Sequence, residues 1–171
     1  EPFPGLTPDL PVLRDPDNCA YYKEDAGKLL LGAFEGNAKA WASEGPPVDF
    51  EFGELPEDFD HFQPILEAAM KRLPALDKVG IRKFFNGPES FTPDVRYMLG
   101  EAPELQHLFV AAGFNSIGIQ SAGGAGKVLA EWIVDGHPPM DLWDVDIRRM
   151  QPFQSDPQFI GPRAAESLGA L

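Results

Sequence analysis

Glycines in one stretch of the sequence are spaced so that the backbone could bind a ligand. A short apolar run ends at Gly113, and Gly123, Gly124 and Gly126 lie in the first turns of the helical pattern that follows. Each glycine costs up to ~1 kcal/mol relative to alanine inside a helix, so three together indicate that something approaches the backbone closely. A turn that leads into a helix start also collects free N–H groups and the positive end of the helix dipole. This chemistry suits an electron-rich or anionic ligand; close packing of the helix on a neighbouring element is the alternative.

Two common phosphate-binding motifs are excluded by spacing. A Walker loop is absent because Ser121 stands where its first glycine is required and Val128 where its serine or threonine is required. The dinucleotide fingerprint is absent because Leu129 occupies the third glycine position after Gly124 and Gly126. If this segment meets a nucleotide cofactor, it does not hold the pyrophosphate in the usual way.

Tyr21 and Tyr22 are the other candidates for chemistry. They lie in the first of two strand-like runs, 18–24 and 28–34, which the residues Asp25-Ala26-Gly27 join as a predicted three-residue hairpin loop. Adjacent residues of a strand project from opposite faces, so one ring can face a cavity while the other packs. Ordinary strand packing by both rings is the alternative.

Bulk composition excludes several classes of function. The formal net charge is −13, from 14 basic and 27 acidic residues, which argues against nucleic acid or an anionic membrane as partner. No apolar run approaches the ~18 residues of a membrane span. Cys19 is the only cysteine and the three histidines are scattered, so we expect neither a disulfide nor a metal site.

The longest helical pattern before the glycine-rich segment covers Phe59–Leu73. Asp58 or Asp60 can cap its start, Pro64 should lie within the first turn or so, and Pro74 should end it. The other predicted elements are strands over Val79–Phe85 and Leu108–Ala112, a short strand or connector over Tyr97–Gly100, a turn over Gly113–Gln120, and a helix from Ala122 that ends at Gly136. The chain starts in strand territory and ends in a weak helical pattern, so we expect a piece of a larger protein.

Four motifs together resemble one enzyme family. They are Gly87–Asp94, Leu99–Pro103, Gly113–Ser116 and Asp146–Arg149. In order and spacing they are similar to the sarcosine and dimethylglycine dehydrogenases, FAD enzymes of the D-amino-acid-oxidase fold. The likeness extends from Pro8 to Arg149, most of the chain.

The resemblance implies an α+β fold class and a fragment of the D-amino-acid-oxidase-type fold. Residues 1–86 would belong to the antiparallel substrate-side sheet with its helix. Residues 87–139 would return to the FAD domain and form its last strand, loop and helix, and residues 140–171 would be a C-terminal extension. The helix start would point at the pyrimidine end of the flavin ring and favour the negative charge of the reduced flavin.

Site residues follow from the same resemblance. Tyr21 or Tyr22 would reach the substrate. Some amine oxidases of this fold carry arginines near the positions of Glu89 and Ser116 to hold a substrate carboxylate, and this sequence has neither. The residues that would line the flavin are Gly87, Pro88, Glu89, Asn115, Ser116, Ile117, Gly118 and Ile119.

The implied reaction is oxidative demethylation of a small N-methyl amino acid such as sarcosine or dimethylglycine. A hydride of the N-methyl group would pass to flavin N5, and the imine would be hydrolysed or passed to tetrahydrofolate in the full-length protein. The FAD fingerprint, the histidine that often carries FAD covalently and the folate-binding module are not among these residues. We therefore expect that the fragment alone does not retain FAD and is inactive, that its partner is the rest of the same polypeptide, and that it is cytoplasmic, or in the mitochondrial matrix of a eukaryote.

Two other functions stay open. The regulatory subunit of pyruvate dehydrogenase phosphatase belongs to the same family and shares the pattern Gly-Gly-Ala-Gly-Lys at 123–127, followed by Leu-Ala-Glu-Trp at 129–132. It acts by binding a partner protein, although Gly87 before Pro88 fits the dehydrogenases better. An autonomous acidic domain without a cofactor is the third possibility.

Overall fold

The computed structural model describes residues 3–167, which divide into two compact units. The first unit contains residues 3–38 and 51–88, and the second contains residues 39–50 and 89–167. Both combine helices with a small antiparallel sheet, in agreement with the α+β fold class. No helix within residues 3–167 has the length and apolar character needed to cross a membrane.

A three-stranded antiparallel sheet forms one half of the first unit. Its strands are β1 (Leu13–Asp15), β2 (Ala20–Asp25) and β3 (Lys28–Ala33), in that order. The predicted three-residue hairpin loop is wrong by one residue, because Asp25 pairs with Lys28 and only Ala26 and Gly27 form the loop. Both have positive φ angles, 49° and 79°, which suits the twist of a two-residue hairpin.

Helix α1 (Phe59–Arg72) packs on this sheet. The predicted cap is confirmed, since the Asp58 carboxylate accepts a hydrogen bond of 3.1 Å from the His61 N–H. Pro64 lies in the second turn rather than the first, where its exposed position leaves the unpaired Asp60 carbonyl accessible to water. The buried centre consists of Ala20, Tyr22 and Ala69, surrounded by Leu29, Leu31, Ala33, Leu73 and Leu76.

The predicted strand over Val79–Phe85 is wrong. The structure shows no regular strand there. Phe84 instead packs against Phe59 and Phe62 of α1, with ring centroids 4.6 and 5.2 Å apart. Contacts with aromatic rings on a helix, rather than with a neighbouring strand, explain Phe84, whereas Ile81 and Phe85 of the same segment are exposed.

The second unit contains a two-stranded antiparallel sheet, β4 (Met98–Glu101) and β5 (Phe109–Ala112), which confirms both predicted strands to within one residue. Segment 145–146 runs beside β4, because the Leu99 N–H donates to the Val145 carbonyl at 2.8 Å. Leu99 is among the most deeply buried side chains of the described chain.

Helix α2 (Gly118–Asp135) follows β5 and begins four residues earlier than predicted, so that Gly118–Gln120 form its first turn. Its predicted end at Gly136 is confirmed, with φ at 76° and the N–H bonded to the Trp132 carbonyl at 2.8 Å. Trp132 anchors the helix on β4 because Gly100 leaves room for the indole ring: a Cβ at Gly100 would lie 2.7 Å from it. Helix α3 (Pro157–Ser167) lies within the weak helical pattern near the end of the chain.

Candidate functional site

The loop between β5 and α2 turns sharply through three residues in left-handed conformation. Gly113, Asn115 and Ser116 have φ angles of 64°, 50° and 64°. Asparagine tolerates this region better than most residues, but serine does so at a cost, and such conformations persist only where surrounding contacts determine them. The loop is therefore held by its neighbours rather than by its own preference.

Asn115 and Thr92 provide those contacts. Both are almost fully buried, at 3% and 4% exposure. The Asn115 side chain accepts a hydrogen bond from the Thr92 N–H at 2.8 Å and donates to the Gly113 carbonyl at 2.7 Å and to Thr92 Oγ1 at 3.3 Å. The Asn115 amide is thus engaged inside the protein, and its part in the site is to shape the loop.

Two further contacts fix the loop. The Asn115 N–H donates to the Ser90 carbonyl at 3.2 Å, and the Phe114 ring stacks on Tyr97 at 4.8 Å between centroids. The Ser90 contact brings Glu89, one of the predicted flavin-lining residues, into the neighbourhood of the loop. Gly87 and Pro88 lie exposed at the end of the first unit.

The start of α2 presents free hydrogen-bond donors. No side chain caps the helix at Ile117, and within α2 the first N–H with a backbone acceptor is that of Ser121, which bonds to the Ile117 carbonyl at 3.0 Å. Within residues 3–167, the N–H groups of Gly118, Ile119 and Gln120 have no acceptor. Together with the helix dipole they create a site of positive potential.

An open apolar surface adjoins these donors. The Ile119 side chain is fully exposed. A Cβ added at Gly123, Gly124 or Gly126 would meet nothing within 4 Å in the described part of the chain. The structure therefore offers no helix or strand of residues 3–167 as the close-packing partner that could explain these glycines.

Tyr21 and Tyr22 project from opposite faces of β2, as predicted. Tyr22 is buried at 3% exposure in the centre of the first unit, whereas Tyr21 is 39% exposed and its ring lies across Gly32 of β3. The Tyr22 hydroxyl is buried with no hydrogen-bond partner in the described chain. Burial, with a smaller contribution from the negative charge of Asp15, raises the pKa of Tyr22.

Sequence reasoning missed Asp15, a buried carboxylate in the first unit. Its Oδ2 accepts hydrogen bonds from Asn18 at 2.9 Å and from Arg72 at 3.2 Å. The hydrogen bond from Asn18 is the largest cause of the lowered pKa of Asp15, and Arg72 adds to it against the opposing effect of burial. This ion pair fastens the end of α1 to β1.

Sequence comparison identifies the family. Residues 1–132 match the family model described as FAD dependent oxidoreductase. The chain belongs to the FAD dependent oxidoreductase family. A second model, described as FAD dependent oxidoreductase central domain, matches residues 135–171.

Curated relatives of this FAD dependent oxidoreductase chain include three kinds of protein. It is 45% identical to 4-methylaminobutanoate oxidase (formaldehyde-forming) of Paenarthrobacter nicotinovorans over 98% of the chain and 20% of that protein. It is 42% identical to the mouse mitochondrial pyruvate dehydrogenase phosphatase regulatory subunit over 95% of the chain and 18% of that protein. It is 41% identical to mouse mitochondrial sarcosine dehydrogenase over 93% of the chain and 17% of that protein. The chain therefore spans about a fifth of the length of the curated relatives it matches.

The residues at the β5–α2 loop fit the FAD that the family implies. The isoalloxazine ring offers acceptor atoms at one edge and flat apolar faces. The three free N–H groups of α2 suit the acceptor edge, and the open backbone at the glycines together with Ile119 suits a flat ring. Within residues 3–167, no group of histidine, cysteine, aspartate and glutamate side chains is arranged to hold a metal ion.

Proposed function

We propose that the full-length protein is an FAD-dependent amine dehydrogenase that oxidatively demethylates a small N-methyl amino acid. The observation that carries the proposal is the uncapped start of α2 beside an open glycine surface, in a chain of the FAD dependent oxidoreductase family. The substrate class is supported by the names of relatives, which include sarcosine dehydrogenase, dimethylglycine dehydrogenase and 4-methylaminobutanoate oxidase. All three names refer to an amine with an N-methyl group.

In this proposal the sheet β1–β3 with α1 belongs to the substrate side of a D-amino-acid-oxidase-type fold, and β4, β5 and α2 are the last strands and helix of its FAD domain. FAD, when bound, supplies the two-electron oxidation of the substrate by accepting a hydride from the N-methyl carbon. The imine product can be hydrolysed or passed to tetrahydrofolate by other parts of the full-length protein. By the family resemblance, Gly87, Pro88 and Glu89 would lie near the other side of the flavin.

The start of α2 contributes electrostatics. The N–H groups of Gly118, Ile119 and Gln120 would hold the acceptor edge of the cofactor and would favour negative charge there. These donors are fixed before the reaction, because the Asn115 network holds the loop that precedes them. Ser116 and Ile117 close the site on the loop side, where the exposed Ile117 side chain excludes water.

Tyr21 is the proposed substrate-side residue, because its ring is the exposed one of the pair. Its hydroxyl can donate a hydrogen bond to the amine or help to move a proton, as general acid–base groups do for roughly 10²–10⁴-fold in rate. Tyr22 serves the core. Neither Glu89 nor Ser116 is an arginine, so the substrate carboxylate is bound by residues elsewhere.

A proline substitution at Ile119 tests the role of the helix start in the full-length protein. Proline is tolerated in the first turn of a helix and removes one N–H, whereas Ile119→Ala shortens the same side chain and keeps the donor. A hydrogen bond to a charged group contributes about 1.5–3 kcal/mol, so we expect Ile119→Pro to slow oxidation of the N-methyl substrate roughly ten- to hundredfold. Equal rates for the proline and alanine variants would contradict the assignment.

The match to the phosphatase regulatory subunit supports a second candidate, a non-enzymatic protein that acts by binding a partner. Formaldehyde release by the full-length protein separates the two candidates, with sarcosine, dimethylglycine and 4-methylaminobutanoate as substrates. Turnover of any of them supports the dehydrogenase. A protein that holds FAD but oxidises none of them favours the regulatory function. The isolated 171-residue chain should be colourless in either case, because it lacks a pyrophosphate site.

A further inference from the structure

Arg149 makes an unusually complete set of contacts for a surface arginine. It lies in the 3₁₀ turn Ile147–Arg149, and its side chain is only 17% exposed. Its Nε and Nη2 donate to the two carboxylate oxygens of Asp94 at 2.7 and 3.0 Å, and Nη2 also donates to the Arg96 carbonyl at 2.6 Å. Nη1 donates to the Asp146 carbonyl at 3.1 Å, so all three guanidinium nitrogens are engaged.

The Arg96 carbonyl connects Arg149 to the loop between β5 and α2 (residues 113–117), which the proposed function places at the flavin and which is called the flavin-facing loop below. It also accepts a hydrogen bond of 2.8 Å from Thr92 Oγ1. Thr92 in turn donates its N–H to Asn115 Oδ1 at 2.8 Å, and Asn115 shapes the left-handed turn before α2. A continuous chain of hydrogen bonds therefore runs from Arg149 through Arg96 and Thr92 to Asn115.

The turn in the middle of this chain needs external support. Val95 has a φ angle of 57°, an unfavourable conformation for a β-branched residue. The Asp94 carboxylate accepts a hydrogen bond from the Arg96 N–H at 3.2 Å, and it also accepts hydrogen bonds from Nε and Nη2 of Arg149. Burial alone would raise the pKa of Asp94, but hydrogen bonds from Arg149 and the Arg96 N–H outweigh this and lower it, so the pair is charged at neutral pH.

The backbone places Arg149 firmly enough to transmit this constraint. Segment 145–146, three to four residues before Arg149, pairs with β4 through the bond from the Leu99 N–H to the Val145 carbonyl. The Asp146 carboxylate caps the 3₁₀ turn by accepting from the Arg148 N–H at 2.8 Å. Arg149 lies in the stretch that matches the central-domain model, whereas Thr92 and Asn115 lie in the stretch that matches the FAD dependent oxidoreductase model. The contact thus joins residues of two matched regions.

We propose that Arg149 is a positioning residue for the flavin-facing loop, which it fixes through the 94–96 turn, Thr92 and Asn115. The inference rests on the proposed function, because it assumes that this loop faces FAD. Without the guanidinium, the 94–96 turn loses its support, Thr92 shifts, and the start of α2 no longer aims its free N–H groups correctly.

The neighbouring Arg148 offers a matched control. It forms a two-pronged ion pair with Asp146, two residues away, and lies over the Trp132 ring at 5.9 Å. Among the described hydrogen bonds and ion pairs, Arg149 and not Arg148 bonds the 94–96 turn. Arg148→Gln and Arg149→Gln therefore remove the same charge from adjacent positions, and only the second removes the connection to the loop. Arg149→Lys keeps the charge but cannot reproduce the two-pronged contact with Asp94.

The experiment uses the full-length protein in its wild-type form and with each of the three substitutions. The FAD dissociation constant, the visible flavin spectrum and the melting temperatures with and without FAD are measured. We expect Arg149→Gln to weaken FAD binding at least tenfold and to shift the flavin absorption bands, with a smaller effect of Arg149→Lys and less than twofold change for Arg148→Gln.

A merely structural role would lower both melting temperatures equally and leave the FAD dissociation constant and the spectrum unchanged, which would overturn the inference. If Arg149→Gln does not fold, Arg149→Lys decides by the same criteria. A wild-type protein that binds no FAD would overturn the proposed function and this inference together, whereas FAD-loaded wild type with unaffected Arg149 variants would overturn the inference alone.

Discussion

A single methyl group at Gly113 tests whether the β5–α2 loop shapes the flavin site. Gly113 has a φ angle of 64°, and a Cβ there would lie 2.5 Å from Thr92 Cγ2 and 3.6 Å from Met98 Cε. The left-handed conformation costs a residue other than glycine about 1–2 kcal/mol. The clash with Thr92 adds the cost of overpacking, about 1–3 kcal/mol. Gly113→Ala should therefore destabilise the loop by about 2–5 kcal/mol.

Two further substitutions separate the cost of the left-handed conformation from the cost of the clash with Thr92. Gly136 has a φ angle of 76°, and a Cβ there meets nothing within 4 Å, so Gly136→Ala should carry the conformational cost alone, about 1–2 kcal/mol. Thr92→Ser removes the clashing Cγ2 and keeps the Oγ1 that bonds the Arg96 carbonyl. Added to Gly113→Ala, it should restore about 1–3 kcal/mol, a coupling that a double-mutant cycle measures directly.

FAD affinity of the full-length protein is the assay, because the loop must keep its native form to present the α2 donors. At about 1.4 kcal/mol per factor of ten, we expect Gly113→Ala to weaken FAD binding at least tenfold and the added Thr92→Ser to recover most of it. Gly136→Ala, at the far end of α2, should change the affinity little. Equal effects of the two alanine substitutions, or no rescue by serine, would refute the reasoning.

Three further predictions concern other parts of the chain. Gly124→Leu in the full-length protein should abolish FAD retention while the β2–β3 hairpin stays intact. Normal flavin content in this variant would favour a role of the α2 glycines in helix packing instead. Tyr21→Phe should lower the turnover of the N-methyl substrate at least about tenfold, which corresponds to ~1.4 kcal/mol in the activation barrier. Tyr22→Phe removes a buried hydroxyl without a hydrogen-bond partner in the described chain and should leave turnover nearly unchanged. If neither variant changes turnover, the chemistry belongs to other residues. Because the pKa of Asp15 is lowered in the folded protein, the ionised carboxylate stabilises the fold fully above its ordinary pKa of 3.8, and this stabilisation is lost as the pH falls through the lowered pKa. Asp15→Asn should therefore reduce the loss of stability at acid pH. An unchanged loss would exclude Asp15 as its origin.

Local patterns predicted most of the regular elements. The end of α2 at Gly136 and the cap of α1 at Asp58 follow from residue types that satisfy a helix end within a few positions of the chain. The strand expected over Val79–Phe85 does not form because Phe84 packs on α1, and alternating apolar residues do not distinguish a sheet partner from a helix partner.

The contacts that hold the candidate site were beyond sequence reasoning. Thr92 and Asn115 are 23 residues apart, and Asp94 and Arg149 are 55 apart. All four residues lie in motifs that carried the family resemblance, but the motifs do not indicate which residues pair, since a buried hydrogen bond between distant residues depends on how the chain folds back on itself. The sequence predicted a turn over 113–120, of which the structure shows 113–117 as the loop and 118–120 as the first turn of α2, and the structure supplied the reason for the shape of the loop.

The glycines of α2 and its exposed Ile119 are energetically unfavourable unless a contact outside the described residues compensates for them. Three glycines cost this helix up to ~3 kcal/mol relative to alanine, and full burial of an isoleucine such as Ile119 would contribute about 1.5–3 kcal/mol that this exposed side chain does not gain. Ala125 and Trp132 of α2 are buried, but at the three glycines and at Ile119 no contact within residues 3–167 offsets these costs, because a Cβ at the glycines would meet nothing within 4 Å and Ile119 is fully exposed. The chain spans about a fifth of the length of its relatives, and under the proposed function FAD and the rest of the full-length protein would supply the compensating contacts. Replacing the glycines by alanine should therefore stabilise α2 in the isolated chain and weaken FAD binding in the full-length protein, and the opposite signs of the two effects are what distinguish a ligand surface from an ordinary helix face.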